Sequence, residues 1–198
     1  MSLRSCLSIT VGAGMLLAAT PSFASISWPT NNRAAEAAGR HCAVAASAAL
    51  AGRAATDADV AKCTKAANLA GFAVDRAAAL SNRSLLNYVR ADYTAAVADS
   101  TAALKFDDRL AEALVNRGSS YLKMRRSGDA DANFSRALRL APAHAEKIYF
   151  NRAMAREDMG DRNGAYADYA EASRLAPQWD LPKQQMTRFT IVRGKPMS

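Results

Sequence analysis

The stretch that decides the fold runs from Leu114 to Pro142, LVNRGSSYLKMRRSGDADANFSRALRLAP. Within it, Asn116-Arg117-Gly118 is followed by Tyr121, Ala130, Phe134, Ala137, Leu140 and Pro142. The same order returns downstream as Tyr149, Asn151-Arg152-Ala153, Ala165, Tyr169, Ala172, Leu175 and Pro177. Upstream stands a weaker copy: Leu80, Asn82-Arg83-Ser84, Ala96, Ser100, Ala103 and Phe106, with Asp108 at the proline position. The three Asn-Arg pairs lie 34 and 35 residues apart. A repeat of that period marks units that cannot bury their apolar faces alone and must stack.

These residues resemble the tetratricopeptide repeat (TPR): a small residue early in helix A, Ala-x3-aromatic-x2-Ala in helix B and a closing proline. The resemblance covers about residues 77–179 and implies an all-α, right-handed solenoid of antiparallel helix pairs, with units at 77–110, 111–145 and 146–179. Gly118 and Ala153 are expected to let helix B approach closely at Ala130 and Ala165, with Phe134 and Tyr169 as wedges towards the next unit. Pro142 and Pro177 end their helices because proline cannot continue the hydrogen-bond ladder. Gly128 and Gly160 are expected at turns, where a left-handed backbone is cheap for glycine. Two positions depart from the pattern. The early aromatic of helix A is Leu80 and Leu114 in two units, and its tyrosine is Asn87 in the first and Arg156 in the third.

Residues 25–76 are expected to form a degenerate helix pair, with helices over 33–53 and 57–70 and a break at Gly52, Thr56 and Asp57. Residues 180–198 are expected to form a capping helix, with Leu181, Met186 and Phe189 covering the open end, followed by a basic tail. Residues 1–24 read as a cleaved secretory signal. Arg4 is followed by an apolar run, and Ser22-Phe23-Ala24 offers small residues before a cleavage point at Ser25. A chain of this kind is expected in the periplasm or outside the cell, of a Gram-negative type, with no transmembrane segment left after cleavage.

Composition agrees with a helical domain. Half of the 198 residues are hydrophobic, aromatics are only 7%, and glycine and proline number 10 and 6. The formal charge of +8 is spread over every helix without a basic block or interleaved aromatics, so nucleic acid is not expected as a partner. The chain contains no glycine-rich phosphate loop, HExxH motif or Ser-His-Asp set. Neither a metal nor a cofactor is expected, and the chain reads as a non-enzyme.

Cys42 and Cys63 remain after signal removal. An even count in an exported chain favours a disulfide. Cys63 aligns with Ser100, at the helix B position where the other units carry an aromatic. His41 cannot serve Cys42 as a base, because adjacent residues on a helix point about 100° apart.

The resemblance further implies that the A helices line a concave groove for a peptide or protein. Candidate groove residues are Asn82, Leu85, Val115, Asn116, Ser119, Leu122, Lys147, Phe150, Asn151 and Met154. The asparagines admit two readings: a ladder of amides bonding a bound backbone, or ties between adjacent A helices. The arginines that follow them are read as packed stems whose heads lie in water or pair with helix B acids, and not as sites. A clamp for chaperone carboxylates is mostly absent, since Ser81 and Leu85 stand where it needs lysine and asparagine. The expected function is a protein-binding scaffold of the bacterial envelope. The alternatives are a carboxylate-using enzyme on a helical scaffold and a stabilising subunit that binds by its convex face or cap. A homodimer remains open.

Overall fold

The computed structural model describes residues 33–140 and 143–189. The expected signal segment, Pro142 and the basic tail lie outside the described residues. Nine α-helices and no strand occur among the described residues. They are α1 (Arg33–Leu50), α2 (Asp57–Leu69), α3 (Ala73–Val89), α4 (Tyr93–Phe106), α5 (Ala111–Lys123), α6 (Ser127–Leu138), α7 (Ala145–Asp158), α8 (Arg162–Leu175) and α9 (Asp180–Met186). Consecutive helices pair as α1·α2, α3·α4, α5·α6 and α7·α8, and the second helix of each pair also packs on the first helix of the next. The first helices further touch one another, α1 on α3, α3 on α5 and α5 on α7. They therefore form an inner row, with the second helices outside. No described helix is long and apolar enough to cross a membrane.

Small side chains at repeated positions make this packing close. Ala96, Ala130 and Ala165 are fully buried, as are Ala103, Ala137 and Ala172 one turn or two further along the outer helices. Gly118 serves a different contact from the one expected. A β-carbon there would lie 2.8 Å from Cε1 of Phe134, so the wedge ring itself, rather than Ala130, fills the space that glycine leaves. The other two units solve the same contact differently. In the first, Ser84 and Ser100 hydroxyls hydrogen-bond to each other at 2.5 Å. In the third, Ala153 accompanies Tyr169, whose hydroxyl donates to Glu157 at 3.1 Å.

Turn chemistry also repeats. Ala91, Arg125 and Gly160 occupy equivalent turns between first and second helices, and all three are left-handed, with φ of 62°, 61° and 83°. Gly128 is not among them, lying instead inside the first turn of α6. Asp92 and Asp161 then cap α4 and α8 by accepting the backbone N–H of Ala95 and Gly164. Arg126 holds that position before α6 and provides no side-chain cap. The α3 helix begins at Ala73, four residues ahead of the expected unit boundary. Its extra turn carries Arg76, which donates to the carbonyls of Ala67 and Ala70 at 3.1 and 2.9 Å and so satisfies the exposed end of α2.

The two ends of the stack are closed by different means. At the first, Thr56 and Asp59 form a capping box at the start of α2. Asp59 is buried and accepts from Arg53 and Lys62 at 2.8 Å each. These two cations, with Thr56, hold its carboxyl far below the usual carboxylate range despite burial. A disulfide joins Cys42 of α1 to Cys63 of α2, and both residues are buried. At the other end, Phe189 packs edge-on against Tyr166 and Tyr169, and Trp179 lies 4.8 Å from Phe150. Arg188 reaches back to Glu157.

Two predictions follow from these local features. Ala91→Gly and Arg125→Gly are each expected to stabilise by about 1 kcal/mol, because a β-carbon is disfavoured at positive φ. Denaturant melts check this, and the matched change Ser127→Gly, inside a helix, should destabilise instead. Replacing Cys42 and Cys63 by alanine together closes no loop in the unfolded chain. With a sequence separation of 21, the loss is expected to be about 3 kcal/mol, concentrated in α1 and α2 and read by hydrogen exchange.

Candidate functional site

The inner row brings the expected groove residues onto three successive helices, but not as an open surface. Asn82, Leu85, Val115, Asn116, Ser119, Leu122, Phe150 and Asn151 are buried, and Lys147 and Met154 are half-buried. Val115 and Leu122 belong to the main core, Leu85 packs with Ala46 and Tyr88, and Phe150 packs with Tyr169. The spacing of these residues was legible in the sequence. Their enclosure follows from the A-to-A helix contacts, which spacing does not reveal.

The asparagines divide their polar groups. Asn116 Nδ2 donates to the carbonyl of Ser81, one repeat upstream, at 3.1 Å. This amide therefore ties adjacent inner helices. The acceptor side is different: Asn82 Oδ1, Asn116 Oδ1 and Ser119 Oγ are buried and have no hydrogen-bond partner. Such orphaned atoms are uncommon, since each costs about 1–3 kcal/mol of desolvation.

A second polar array lies between the inner and outer helices, on the three arginines. Arg83 donates through Nε to Asp99 at 2.9 Å and through Nη2 to the other carboxylate oxygen, while Nη1 reaches Thr64 of the preceding outer helix at 2.9 Å. Arg152 repeats the arrangement two units later. It meets Asp168 at 2.8 and 2.7 Å and Ser135 of the preceding outer helix at 3.0 Å. Each guanidinium thus bridges two neighbouring units, with the planar fork on the carboxylate. Asp99 and Asp168 are buried. Asp99 accepts a further bond from Asn87 at 2.9 Å, and Asp168 one from Arg156 at 3.0 Å. Hydrogen bonds to Asp99 hold the Arg83 pKa above its ordinary value. For Arg152 burial pulls down most strongly, yet the pairing with Asp168 leaves the net shift upward.

In the middle unit the array is incomplete. Arg117 Nε donates to Asn133 Oδ1 at 2.8 Å, and Nη1 makes a longer bond of 3.3 Å to Thr101. The neutral amide of Asn133 stands where Asp99 and Asp168 stand in the neighbouring units. Arg117 makes no ion pair among the described residues, and burial lowers its pKa, with Arg136 adding to the shift and Tyr121 and Asp129 opposing it. The sequence reading gives these arginines packed stems, with heads in water or paired with helix B acids. In two units the pairing is what forms, with Asp99 and Asp168 as the acids, which that reading does not name. The signal was present, because Asp99, Asn133 and Asp168 recur at the arginine spacing.

Two comparisons bear on the class of protein. The sequence profile of the tetratricopeptide repeat matches residues 111–144 and 146–178. Among solved structures, the TPR domain of Arabidopsis OM64 superposes with a TM-score of 0.56 at 23% identity, covering 59% of this chain and 95% of that one. None of the curated proteins compared with the chain matches it. The stacked helix pairs and the matched repeats make this an all-α solenoid of helical hairpins. Residues 111–144 and 146–178 of this chain are tetratricopeptide repeats. Repeats of this type generally mediate protein–protein interaction, and the fold is typically a non-enzymatic one.

Asp168→Asn leaves Arg152 and Arg156 half-buried without their shared carboxylate. The loss is expected to be about 2–4 kcal/mol. A double-mutant cycle with Arg152→Met measures the coupling.

Proposed function

We propose that this protein is a non-catalytic scaffold of the bacterial cell envelope, exported to the periplasm or beyond, that holds a peptide or protein along its inner helix row. One observation carries the reading. Asn82 Oδ1 and Asn116 Oδ1, one repeat apart, and Ser119 Oγ are buried acceptors with no partner. An extended chain laid along the row would offer backbone N–H groups to these acceptors and remove that cost. Because these atoms are enclosed, binding is coupled to a local parting of the inner side chains, and the association rate is slow for the affinity. The buried Cys42–Cys63 disulfide supports an oxidising compartment, since such bonds are uncommon where thiols are kept reduced.

The test is crosslinking of tagged protein in its native envelope, followed by identification of what co-purifies. The comparison is an Asn82→Ala, Asn116→Ala, Asn151→Ala variant that retains its helical circular dichroism. The expected outcome is loss of the partner from the variant. A partner that stays bound to the folded variant rules out the inner row as the docking surface. Asn116→Asp, which keeps an acceptor but replaces the Ser81-tying donor, separates loss of binding from loss of packing.

A further inference from the structure

The three repeats differ in charge. Residues 111–144 carry six lysines and arginines against three acids, whereas 77–110 carry four against four and 145–178 five against six. The excess arises at two positions. Arg126 replaces the capping acids Asp92 and Asp161, and Asn133 replaces the bridging acids Asp99 and Asp168. The second replacement leaves a specific vacancy of bonding. Arg83 and Arg152 place Nη2 on a carboxylate oxygen, while Arg117 Nη2 has no hydrogen-bond partner among the described residues. A half-buried guanidinium without an ion pair is costly, and a carboxylate oxygen on the free Nη2 relieves that cost.

The surroundings point the same way. Arg136 lies three residues after Asn133 on α6, hence on the same face. Its side chain is 41% exposed and engages the exposed Asp108. Tyr121, one turn after Arg117, carries Arg126 over its ring at 4.4 Å, and Arg126 is held by Asp129 at 2.7 Å. Asp129 is therefore already committed, and no other described acid contacts Arg117. Arg117 itself is half-buried, so its free edge is reachable from solvent.

The geometry points to Arg117, flanked by Arg136 and Thr101, as a docking site on the outer-helix side of the middle unit for the carboxylate of an acidic protein segment. This site is separate from the inner row and does not depend on that row binding anything. The occupant is a carboxylate because Nη2 meets a carboxylate oxygen in the two neighbouring units, whereas here Asn133 engages only Nε and Thr101 only Nη1. The lysine- and arginine-rich middle unit favours further acids on either side of it.

The experiment measures fluorescence anisotropy of a labelled hexaglutamate peptide with the full chain at low salt. Asn133→Asp supplies the missing carboxylate from within, and Arg117→Gln removes the guanidinium. Arg40→Gln, on an arginine 59% exposed in α1, changes the net charge by the same amount far from the site. The expected result is a loss of affinity of about tenfold or more for Asn133→Asp and Arg117→Gln, and under about threefold for Arg40→Gln. Asn133→Asp should also melt at a higher temperature than the parent, so its loss of binding would not reflect unfolding. Equal losses in all three variants would reduce the effect to overall charge and overturn the proposal. Unchanged binding in Asn133→Asp would also overturn it. If inorganic phosphate displaces the peptide at similar concentrations and protects the parent, but not Asn133→Asp, against heat, the site belongs to a free anion and the protein-segment assignment fails.

Discussion

Each inner helix after α1 lies against an outer helix on both sides, and the closeness of that approach governs the remaining choices. Fully buried alanines at 96, 130 and 165, and again at 103, 137 and 172, keep the helices near enough for dispersion contacts to accumulate. The two largest fully buried side chains, Phe134 and Tyr169, sit at the wedge position. The first unit, with Ser100 there, replaces ring contact by a buried hydroxyl pair with Ser84. A hydroxyl pair contributes less apolar burial than a ring. The preceding hairpin, with Cys63 at the same position, is held covalently instead.

Close approach also forces a solution for the polar groups caught between layers. The arginines after the three asparagines reach from an inner helix to the outer helix of their own unit and to a hydroxyl on the unit before. They act as cross-braces as well as buried charges. Where the acid is present, the residue one turn later on the inner helix is a donor, Asn87 or Arg156. Where it is absent, that residue is Tyr121. The departures from the repeat pattern are thus coupled across the helix pair.

Much of the fold was legible in the sequence because it is written in spacing. Period, helix pairing and the positions of Ala130, Phe134, Ala165 and Tyr169 all follow from residues that recur. Two cysteines on facing helices pointed to the staple that the structure contains. What spacing cannot carry is depth. Asn116 and Val115 recur like groove residues yet are sealed, because enclosure depends on how far neighbouring inner helices close upon each other. Gly160 marks one left-handed turn as expected, but the other two are not legible, for a different reason. Glycine was taken as their marker, but Ala91 and Arg125 accept the strained conformation, imposed by the short connection between packed helices. Pairing of the arginines with helix B acids is legible as one of two alternatives, but which acids are buried is not, because an acid on a helix reads by default as solvated.

The coupling between Tyr121 and Asn133, and between Asn87 or Arg156 and their acids, has a consequence for how such a chain can vary. Its three units are not interchangeable column by column. A chimera that took its inner helix from the middle unit and its outer helix from a neighbour would set Asp beside Tyr, a combination none of the three uses. The reverse chimera would strand a second donor with no acceptor. The three units of this chain differ as whole networks, so a repeat averaged from them would lose the distinction by which one unit differs from the others.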